Sequence, residues 1–553
     1  MSSLFSDLPQ VHVLSVVGGV VALLLVAKAV ALLNVLTSKA HFPRIYTAFH
    51  PLAIPGAVLP TSTLTTGRSW HWTRRFSTYV TAHSETIDLV PLLSGVPSIW
   101  TTNVDIARQV VVGSHRTKFQ KPEWSGAPFT LSSIRRRDSS YSPVASRVWG
   151  MNVLSADGAT WRTHRRVVGP AFGPELYKLV WQQSRSTYHD FMNVEGWDRD
   201  GRKSVDVPAI QTITSKFTFL LISSCGLGFP SSTWATPPNT KDGGITMLEA
   251  LDLVINNHIT LLVLPNWAFR LPLPYLRRIR QARERLMVFM HEQIAERKAD
   301  IISGKQLRAD AFTMLVNANQ DEDAKYALSD KEIIGNIFVL MAAGHESTSH
   351  ALSGTLGFLA LHESIQDEIL QQIIEVVGTE RDPIYEDYSK LNKVLAAFYE
   401  TARMFPAAHV MIREAKEDTI LQVPNPVGEE GTTAVPIQKG TQIIVDTIGL
   451  QYNMRYNDRP EEYRPSRWYD LSGDSEAFTA FSIGPRACLG RRFASTEAVC
   501  FLSLVLRDFR VSPLLNEGET VEGWKARALD GEILMTLGLR DIPLRFERRS
   551  GLA

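Results

Sequence analysis

A short loop around a cysteine constrains this chain more than any other stretch. Residues 481–490 read Phe-Ser-Ile-Gly-Pro-Arg-Ala-Cys-Leu-Gly, and an apolar, helix-like run follows them. A thiolate that binds a metal must be deprotonated and closely approached by backbone N–H groups. Gly484 and Gly490 permit that approach to Cys488, and Arg486 supplies a positive charge. The loop therefore indicates a metal-ligating cysteine, and a buried cysteine in an ordinary turn is the plainer alternative.

The composition narrows the class of protein. Three cysteines among 553 residues, Cys225, Cys488 and Cys500, argue against a disulfide framework and for a reducing compartment. The net charge is +1, so no overall field points to nucleic acid as a partner. With 44% hydrophobic residues, the chain can bury a large core. The sequence has no Cys-x-x-Cys pair that would indicate zinc.

The N-terminus carries a long apolar run. Lys28 is the only charged residue between Val13 and Leu36, and a helix of that length, about 36 Å, spans a bilayer. Basic residues follow the run, so the positive-inside rule places the body of the protein in the cytosol. A cleaved signal peptide is the alternative, although no basic segment precedes the run. We expect a membrane anchor, a proline-rich hinge and one globular domain, at residues 1–40, 41–60 and 61–553.

An aromatic and basic motif begins at Trp161, where the chain reads Trp-Arg-Thr-His-Arg-Arg. Trp161 and Arg165 are four residues apart, so they share one face of a helix. An indole N–H and a guanidinium on one face suit the binding of a carboxylate. Taken alone, the motif is more typical of packing beside a solvated charge.

A long helix is predicted from Ser329, because two acidic residues favour its N-terminus and an apolar run follows. Residues 343–348 interrupt that run with Ala-Gly-His-Glu-Ser-Thr. A glycine, an acid and two hydroxyl groups oppose helix propensity, and such conflicts often mark functional sites. Ala343 and Ser347 lie on one face of the helix, and His345 is interpreted as a packing residue.

Two charged motifs lie between this helix and the cysteine loop. Glu400 and Arg403 are three residues apart on a predicted helix over 395–406, a spacing that is also typical of a weak surface pair. Residues 459–468 read Arg-Pro-Glu-Glu-Tyr-Arg-Pro-Ser-Arg-Trp.

In their order and spacing, these motifs resemble those of the cytochrome P-450 family. The cysteine loop is similar to the family's Phe-x-x-Gly-x-Arg-x-Cys-x-Gly, and the others to its Trp-x-x-x-Arg, Ala/Gly-Gly-x-Asp/Glu-Thr, Glu-x-x-Arg and Pro-x-x-Phe-x-Pro-x-Arg-Trp. Ser347 stands where the family has threonine, and Tyr463 where it has phenylalanine. Serine keeps the hydroxyl but lacks the methyl that limits its rotamers. The resemblance covers the chain after Pro60.

The resemblance implies the family's α+β fold, mainly α-helical with small β-sheets, preceded here by one transmembrane helix. Haem b would lie between a helix over Ile333–Leu352 and the cysteine loop, with Cys488 as its axial thiolate. Arg413 is equally compatible with a propionate contact and with an exposed strand charge. The residues expected around the cofactor are Cys488, Arg486, Trp161, Arg165, Arg413, Phe481, Gly490 and Ala343.

The implied activity is that of a haem-thiolate monooxygenase, so residues 61–553 would form its catalytic domain. Glu346, Ser347 and Thr348 are the expected catalytic residues, which relay protons to dioxygen. Glu400, Arg403 and Arg467 would form a buried structural triad that holds the cysteine loop. Two alternatives stay open: a reductase-independent isomerase, dehydratase or peroxide-driven enzyme, and a non-enzymatic haem sensor or carrier.

The implied partners follow from this activity. Electrons would come from NADPH through a separate reductase, with cytochrome b5 as a further candidate, and a basic patch of Arg162, Arg165, Arg166, Arg491 and Arg492 could receive the donor. The expected location is the endoplasmic reticulum membrane, with the catalytic domain facing the cytosol. The long polar insertions and the Trp-Arg-x-His-Arg-Arg motif resemble those of fungal members of the family. This resemblance suggests a role in secondary metabolism, such as terpenoid biosynthesis, or in detoxification. A lipophilic substrate is expected from the apolar pocket residues Phe338, Val339, Ala342, Ala407, Ala408, Val410 and Leu539. The last of these lies in a β-hairpin predicted over Ile533–Arg548, with its turn near Gly538.

Overall fold

The architecture is given by a computed structural model of the chain. It describes part of the N-terminal run and most of the remaining chain. The described residues are 19, 22, 26, 28–30, 32–37, 39–62, 65–67, 69–111, 118–122, 149–197, 202–228, 233–235, 245–257, 260–261, 264–265, 267–305, 309–320, 326–426, 428–471, 478–533, 536–539 and 541–549.

Helices dominate the fold, as the family resemblance predicts. A π-helical turn, Ile222–Gly226, continues the seventh α-helix below. In chain order the described α-helices are α1 Ile54–Val58, α2 Trp70–Thr73, α3 Thr78–Thr81, α4 Val104–Val111, α5 Gly158–Val168, α6 Pro174–Glu195, α7 Gln211–Leu221, α8 Met247–Asn256, α9 Pro274–Ile302, α10 Ala311–Gln320, α11 Asp330–Leu361, α12 Glu363–Val377, α13 Asn392–Met404, α14 Thr447–Gln451, α15 Arg491–Asp508 and α16 Val521–Ala528.

The strands form small sheets at the edges of the helical body. The largest described sheet has the order β1-β2-β3-β9-β6-β4, in which β1–β2 and β3–β9 are parallel, and a three-stranded sheet has the order β10-β13-β5. Two hairpins, β7–β8 and β11–β12, complete the set. The strands are β1 Arg44–Phe49, β2 Thr86–Ser94, β3 Ser98–Thr101, β4 Phe119–Gln120, β5 Ser204–Val207, β6 Val410–Ala415, β7 Thr419–Pro424, β8 Thr432–Ile437, β9 Gln442–Asp446, β10 Phe509–Pro513, β11 Gly531–Ile533, β12 Leu537–Leu539 and β13 Leu544–Arg548.

The long helix α11 runs through the centre of the core. Its start at Ser329 is confirmed: the Ser329 hydroxyl accepts from the Glu332 N–H, and the Glu332 carboxylate accepts from the Ser329 N–H, which together make a capping box. The helix continues to Leu361, beyond the predicted Leu352, because its C-terminal half is buried. Apolar side chains of α11, α13 and α15 form the main core, among them Leu356, Phe398 and Phe501.

Residues 41–60 belong to the folded body, contrary to the predicted extended hinge. Their strand β1 pairs in parallel with β2, and α1 follows. Pro43 and Pro51 flank the strand, and Pro55 occupies the first turn of α1. Proline is tolerated at such positions, since neither a strand-end nor a first-turn proline removes a needed hydrogen bond.

The predicted membrane anchor, residues 1–40, lies largely outside the described residues. Within the part of the chain that is described, no helix is both long and apolar enough to cross a membrane.

The C-terminal strands differ from their prediction. A hairpin was expected over Ile533–Arg548 with its turn near Gly538, whereas Gly538 lies inside β12, opposite Glu532 of β11. Strand β13 instead pairs with β10 and β5. The sequence pattern could not distinguish two short strands from one longer hairpin, because pairing with β5 depends on a segment some 340 residues away.

Candidate active site

The cysteine loop presents its sulfur at the N-terminus of α15. A short turn, Gly484–Arg486, precedes Cys488, and Gly484 has a φ of +68°, which favours glycine. The Cys488 N–H donates to the Phe481 carbonyl at 2.9 Å, and its side chain is exposed. The backbone N–H groups of Gly490 and Arg491 point at the sulfur. Helix N-termini stabilise anions, so this position suits a thiolate.

Two opposing influences act on the Cys488 thiol. Desolvation by the surrounding protein raises its pKa, while the Gly490 and Arg491 N–H groups and the charges of Arg165 and Arg491 lower it, and the net pKa lies above the ordinary value. The side chain is thus enclosed by protein on some sides and accessible on another. Binding of a cation at the accessible side would stabilise the thiolate.

Positive charges gather beside the loop around a single described carboxylate. Arg486 stacks on the Trp161 ring at 4.5 Å and pairs with Asp157. Burial and then the charge of Arg486 lower the pKa of Arg413 to about 10. Burial and the charges of Arg486 and Arg413 likewise lower the pKa of Lys121. Among the described residues, three cations therefore share Asp157, which leaves positive charge for further carboxylates.

This donor set fits a haem. An iron porphyrin needs an axial ligand and partners for two propionates, and the exposed Cys488 sulfur and the cluster of Lys121, Arg413 and Arg486 offer both. Trp161 and Arg165 both lie on α5, which confirms that they share a helix; Trp161 contacts Arg486, and the charge of Arg165 acts on Cys488. The predicted exposed alternative for Arg413 is wrong, because its side chain is buried. Lys121 and Asp157 were missed, since neither belongs to a recognised motif.

The unusual segment of α11 has one open face. Ala343 is exposed and Ser347 partly exposed, although Met341 and Ala342 before them and His345 between them are buried. The Ser347 hydroxyl donates to the Ala343 carbonyl at 2.6 Å. This hydrogen bond restricts the side-chain rotamer of Ser347, as the methyl group of a threonine would. His345 turns to α7, where Nε2 lies 2.9 Å from the Ser215 hydroxyl, as expected of a packing residue.

The other two predicted proton-relay residues lie on different sides of α11. The Glu346 carboxylate accepts from the Thr536 hydroxyl at 2.9 Å. Thr348 is buried and hydrogen-bonds Glu497 of α15, so it does not share the open face with Ser347. Consecutive helix residues are rotated by about 100°, which separates neighbours in sequence.

The predicted pocket residues fall into two groups. Phe338, Val339, Ala407, Ala408 and Val410 are partly or fully accessible, and the Phe338 ring stacks on Trp149 at 4.0 Å. Ala342 and Leu539 are buried, and Leu539 packs in the main core near Gly354, so the structure does not place these two on an open surface.

The structure brings the predicted triad together around one buried carboxylate. Glu400 accepts from Arg403 Nε at 3.0 Å and Nη2 at 2.9 Å, and from Arg467 Nε at 3.2 Å. The Trp468 indole N–H, which sequence reasoning did not assign, donates to the same carboxylate at 2.7 Å. Arg403 also donates to the Pro460 carbonyl at 2.8 Å. These bonds fasten residues 460–468, which precede the cysteine loop, to α13.

Only part of the predicted basic patch is an exposed surface. Arg162 and Arg166 are exposed. Arg165 instead acts on Cys488, the Arg491 guanidinium lies 5.4 Å from the Tyr399 ring, and Arg492 stacks on Tyr388 at 3.7 Å. Aromatic contact holds the last two arginines in the body of the protein.

Comparisons with known proteins agree with this geometry. The Cytochrome P450 family model matches residues 132–529. Cytochrome P450 monooxygenase 124 of Postia placenta is 36% identical over 409 residues, which cover 72% of this chain and 77% of the relative. Cytochrome P450 monooxygenase prx9 of Penicillium rubens is 25% identical, with 83% and 82% covered, and the phomenoic acid biosynthesis cluster cytochrome P450 monooxygenase of Leptosphaeria maculans is 24% identical, with 82% and 80% covered. The chain therefore belongs to the cytochrome P450 family and is a monooxygenase.

Proposed function

We propose that this monooxygenase takes electrons from NADPH through a separate reductase and oxidises a lipophilic small molecule. The observation that carries the proposal is the open face of α11. Ala343 and Ser347 are accessible on a helix that is otherwise largely buried, and the Ser347 hydroxyl is already held by a hydrogen bond. An enzyme that only rearranges a peroxide needs no proton donors at such a face, whereas one that reduces dioxygen does.

The residues of this chain would hold the cofactor and manage protons. When bound, haem supplies the activation of dioxygen, and a thiolate ligand favours cleavage of the O–O bond. Cys488 would ligate its iron, and Lys121, Arg413 and Arg486 would neutralise its propionates. Ser347 would pass protons at the open face of α11, with Glu346 next to it in sequence.

Accessible apolar residues support both the substrate class and the membrane location. Ala408 is exposed, and Phe338 and Val410 are partly exposed, so a pocket built from them would exclude charged molecules. In the segment before α9, Ala268 and Phe269 are buried while Trp267, Leu271 and Leu273 are exposed. We infer that these exposed residues touch the endoplasmic reticulum membrane, to which the N-terminal run would anchor the chain.

The metabolic role is proposed from the relatives. One of them is named for a phomenoic acid biosynthesis cluster, and others come from fungi. We infer that the substrate belongs to fungal secondary metabolism and that terpenoids are the first class to test. Detoxification of a lipophilic compound is the second.

The test uses the haem-loaded full-length protein in microsomes with a fungal NADPH reductase. We expect NADPH oxidation that depends on both proteins, and conversion of members of a terpenoid panel followed by mass spectrometry. Turnover with peroxide but not with NADPH and reductase would favour a peroxide-driven enzyme instead. No turnover with either oxidant would favour a haem sensor or carrier.

A further inference from the structure

His350 forms a second layer behind Glu346 on α11. It lies one helical turn further on, with Nε2 3.7 Å from Glu346 Oε1. Its other ring nitrogen, Nδ1, lies 3.1 Å from the Leu539 carbonyl oxygen. No part of the assigned proton relay uses this histidine.

The Leu539 carbonyl determines the tautomer of His350. A carbonyl oxygen can only accept a hydrogen bond, so Nδ1 carries a proton in both the neutral and the charged ring. Nε2 is therefore the nitrogen that gains and loses a proton, and it faces the carboxylate. A movement of about 0.5 Å would bring Nε2 and Oε1 within hydrogen-bond range.

The surroundings are built to hold this ring. Gly538 of β12 packs so closely that a Cβ atom there would lie 2.6 Å from three atoms of the His350 ring. The Thr536 hydroxyl occupies the same oxygen, Oε1, at 2.9 Å, while Oε2 is buried without a hydrogen-bond partner among the described residues. Oε2 is therefore available to a water molecule or another proton acceptor.

Other titratable groups do not duplicate this role. The described ionisable residues that act on Glu346 are His345 and His350, both from α11, and Thr536 from the β11–β12 hairpin is not ionisable in this range. The His345 ring is turned to Ser215 of α7. The His350 side chain is 23% exposed, so it can exchange protons with solvent.

We propose that His350 is the positioning residue that reloads Glu346 with protons. In each cycle, Glu346 passes its carboxyl proton on and becomes a carboxylate, the imidazolium gives the proton on Nε2 to that carboxylate, and bulk solvent returns one proton to Nε2. One proton enters and one leaves, so the pair ends the cycle with the charge with which it began. Nδ1 stays bonded to Leu539, and the ring keeps its orientation. The inference deepens the proposed function and depends on Glu346 acting there as a proton donor.

The test has a spectroscopic and a kinetic part, both on the haem-loaded protein. The protonated Glu346 carboxyl is identified by infrared difference spectroscopy as the C=O band that Glu346→Gln removes. In His350→Gln we expect this band to titrate at least about one pH unit higher, a tenfold weaker acid, because burial remains and its partner is gone. NADPH oxidation with reductase should fall about tenfold, with its pH profile displaced in the same direction.

Two further variants separate the relay from a structural effect. Gly538→Ala displaces the His350 ring without removing a titratable group, and it should reproduce both changes. His345→Gln is the matched control on the same helix. It should leave the titration of the Glu346 band within about half a pH unit, and the rate of NADPH oxidation within about threefold, of the wild type. Wild-type titration and pH profile in His350→Gln, or an equal effect of His345→Gln, would overturn the proposal. Absence of NADPH oxidation in the wild type would instead contradict the reductase-driven function, while the infrared titration would still decide whether His350 controls Glu346.

Discussion

Removal of the Glu400 carboxylate should prevent the protein from retaining haem. Its side chain and that of Arg403 are both 0% exposed. Glu400→Ala leaves the Arg403 charge buried without its partner, which costs about 3–5 kcal/mol, and it also leaves the Trp468 indole N–H unpaired, which adds about 1 kcal/mol. Domains unfold at a cost of about 5–15 kcal/mol, so a loss of about 4–6 kcal/mol removes much of the stability.

The assay is the haem content per polypeptide after expression with a haem precursor, together with the thermal unfolding temperature. Glu400→Gln keeps the shape of the side chain and loses its charge, so we expect an intermediate result. Glu368→Ala is the matched control: Glu368 also binds the segment after the triad, through Tyr469 at 2.9 Å, but it is 42% exposed and should contribute less than about 1 kcal/mol. Wild-type haem content and unfolding temperature in Glu400→Ala would refute the reasoning.

Two further predictions concern the cysteine loop and the start of α11. Cys488→Ser should abolish the thiolate-type Soret band of the reduced, CO-bound protein, and persistence of that band would contradict Cys488 as the ligand. The His164 ring, whose Nε2 lies 3.5 Å from Glu332 Oε1, and the hydrogen bonds from Ser329 lower the pKa of Glu332 to about 2, below its usual 4.5. Ionised Glu332 therefore stabilises the fold above about pH 4.5, and this contribution is lost as the pH falls towards about 2. The unfolding temperatures of wild type and Glu332→Gln should differ at neutral pH and converge as the pH approaches about 2. A difference that stays constant with pH would contradict the stabilising role of ionised Glu332.

Local patterns predicted those parts of the site that a single element builds. The Ser329 capping box uses residues three apart, and the turn before Cys488 needs a glycine at Gly484, so short spacings were sufficient. Trp161 and Arg165 were placed on one helix by their separation of four residues. The β11–β12 region was predicted incorrectly, because its pairing depends on strands that are distant in the chain.

By itself, the sequence determined the family and predicted Cys488 as the ligand, the members of the Glu400 triad and the open face of α11, because each of these lies in a short, regularly spaced motif. The tertiary structure decided which side chains share a space. It brought Asp157 to Arg486, 329 residues away, placed Leu539 behind His350, and turned Thr348 to Glu497 and away from Ser347. Those contacts depend on how helices pack and rotate against one another, and no local spacing in the chain encodes that rotation.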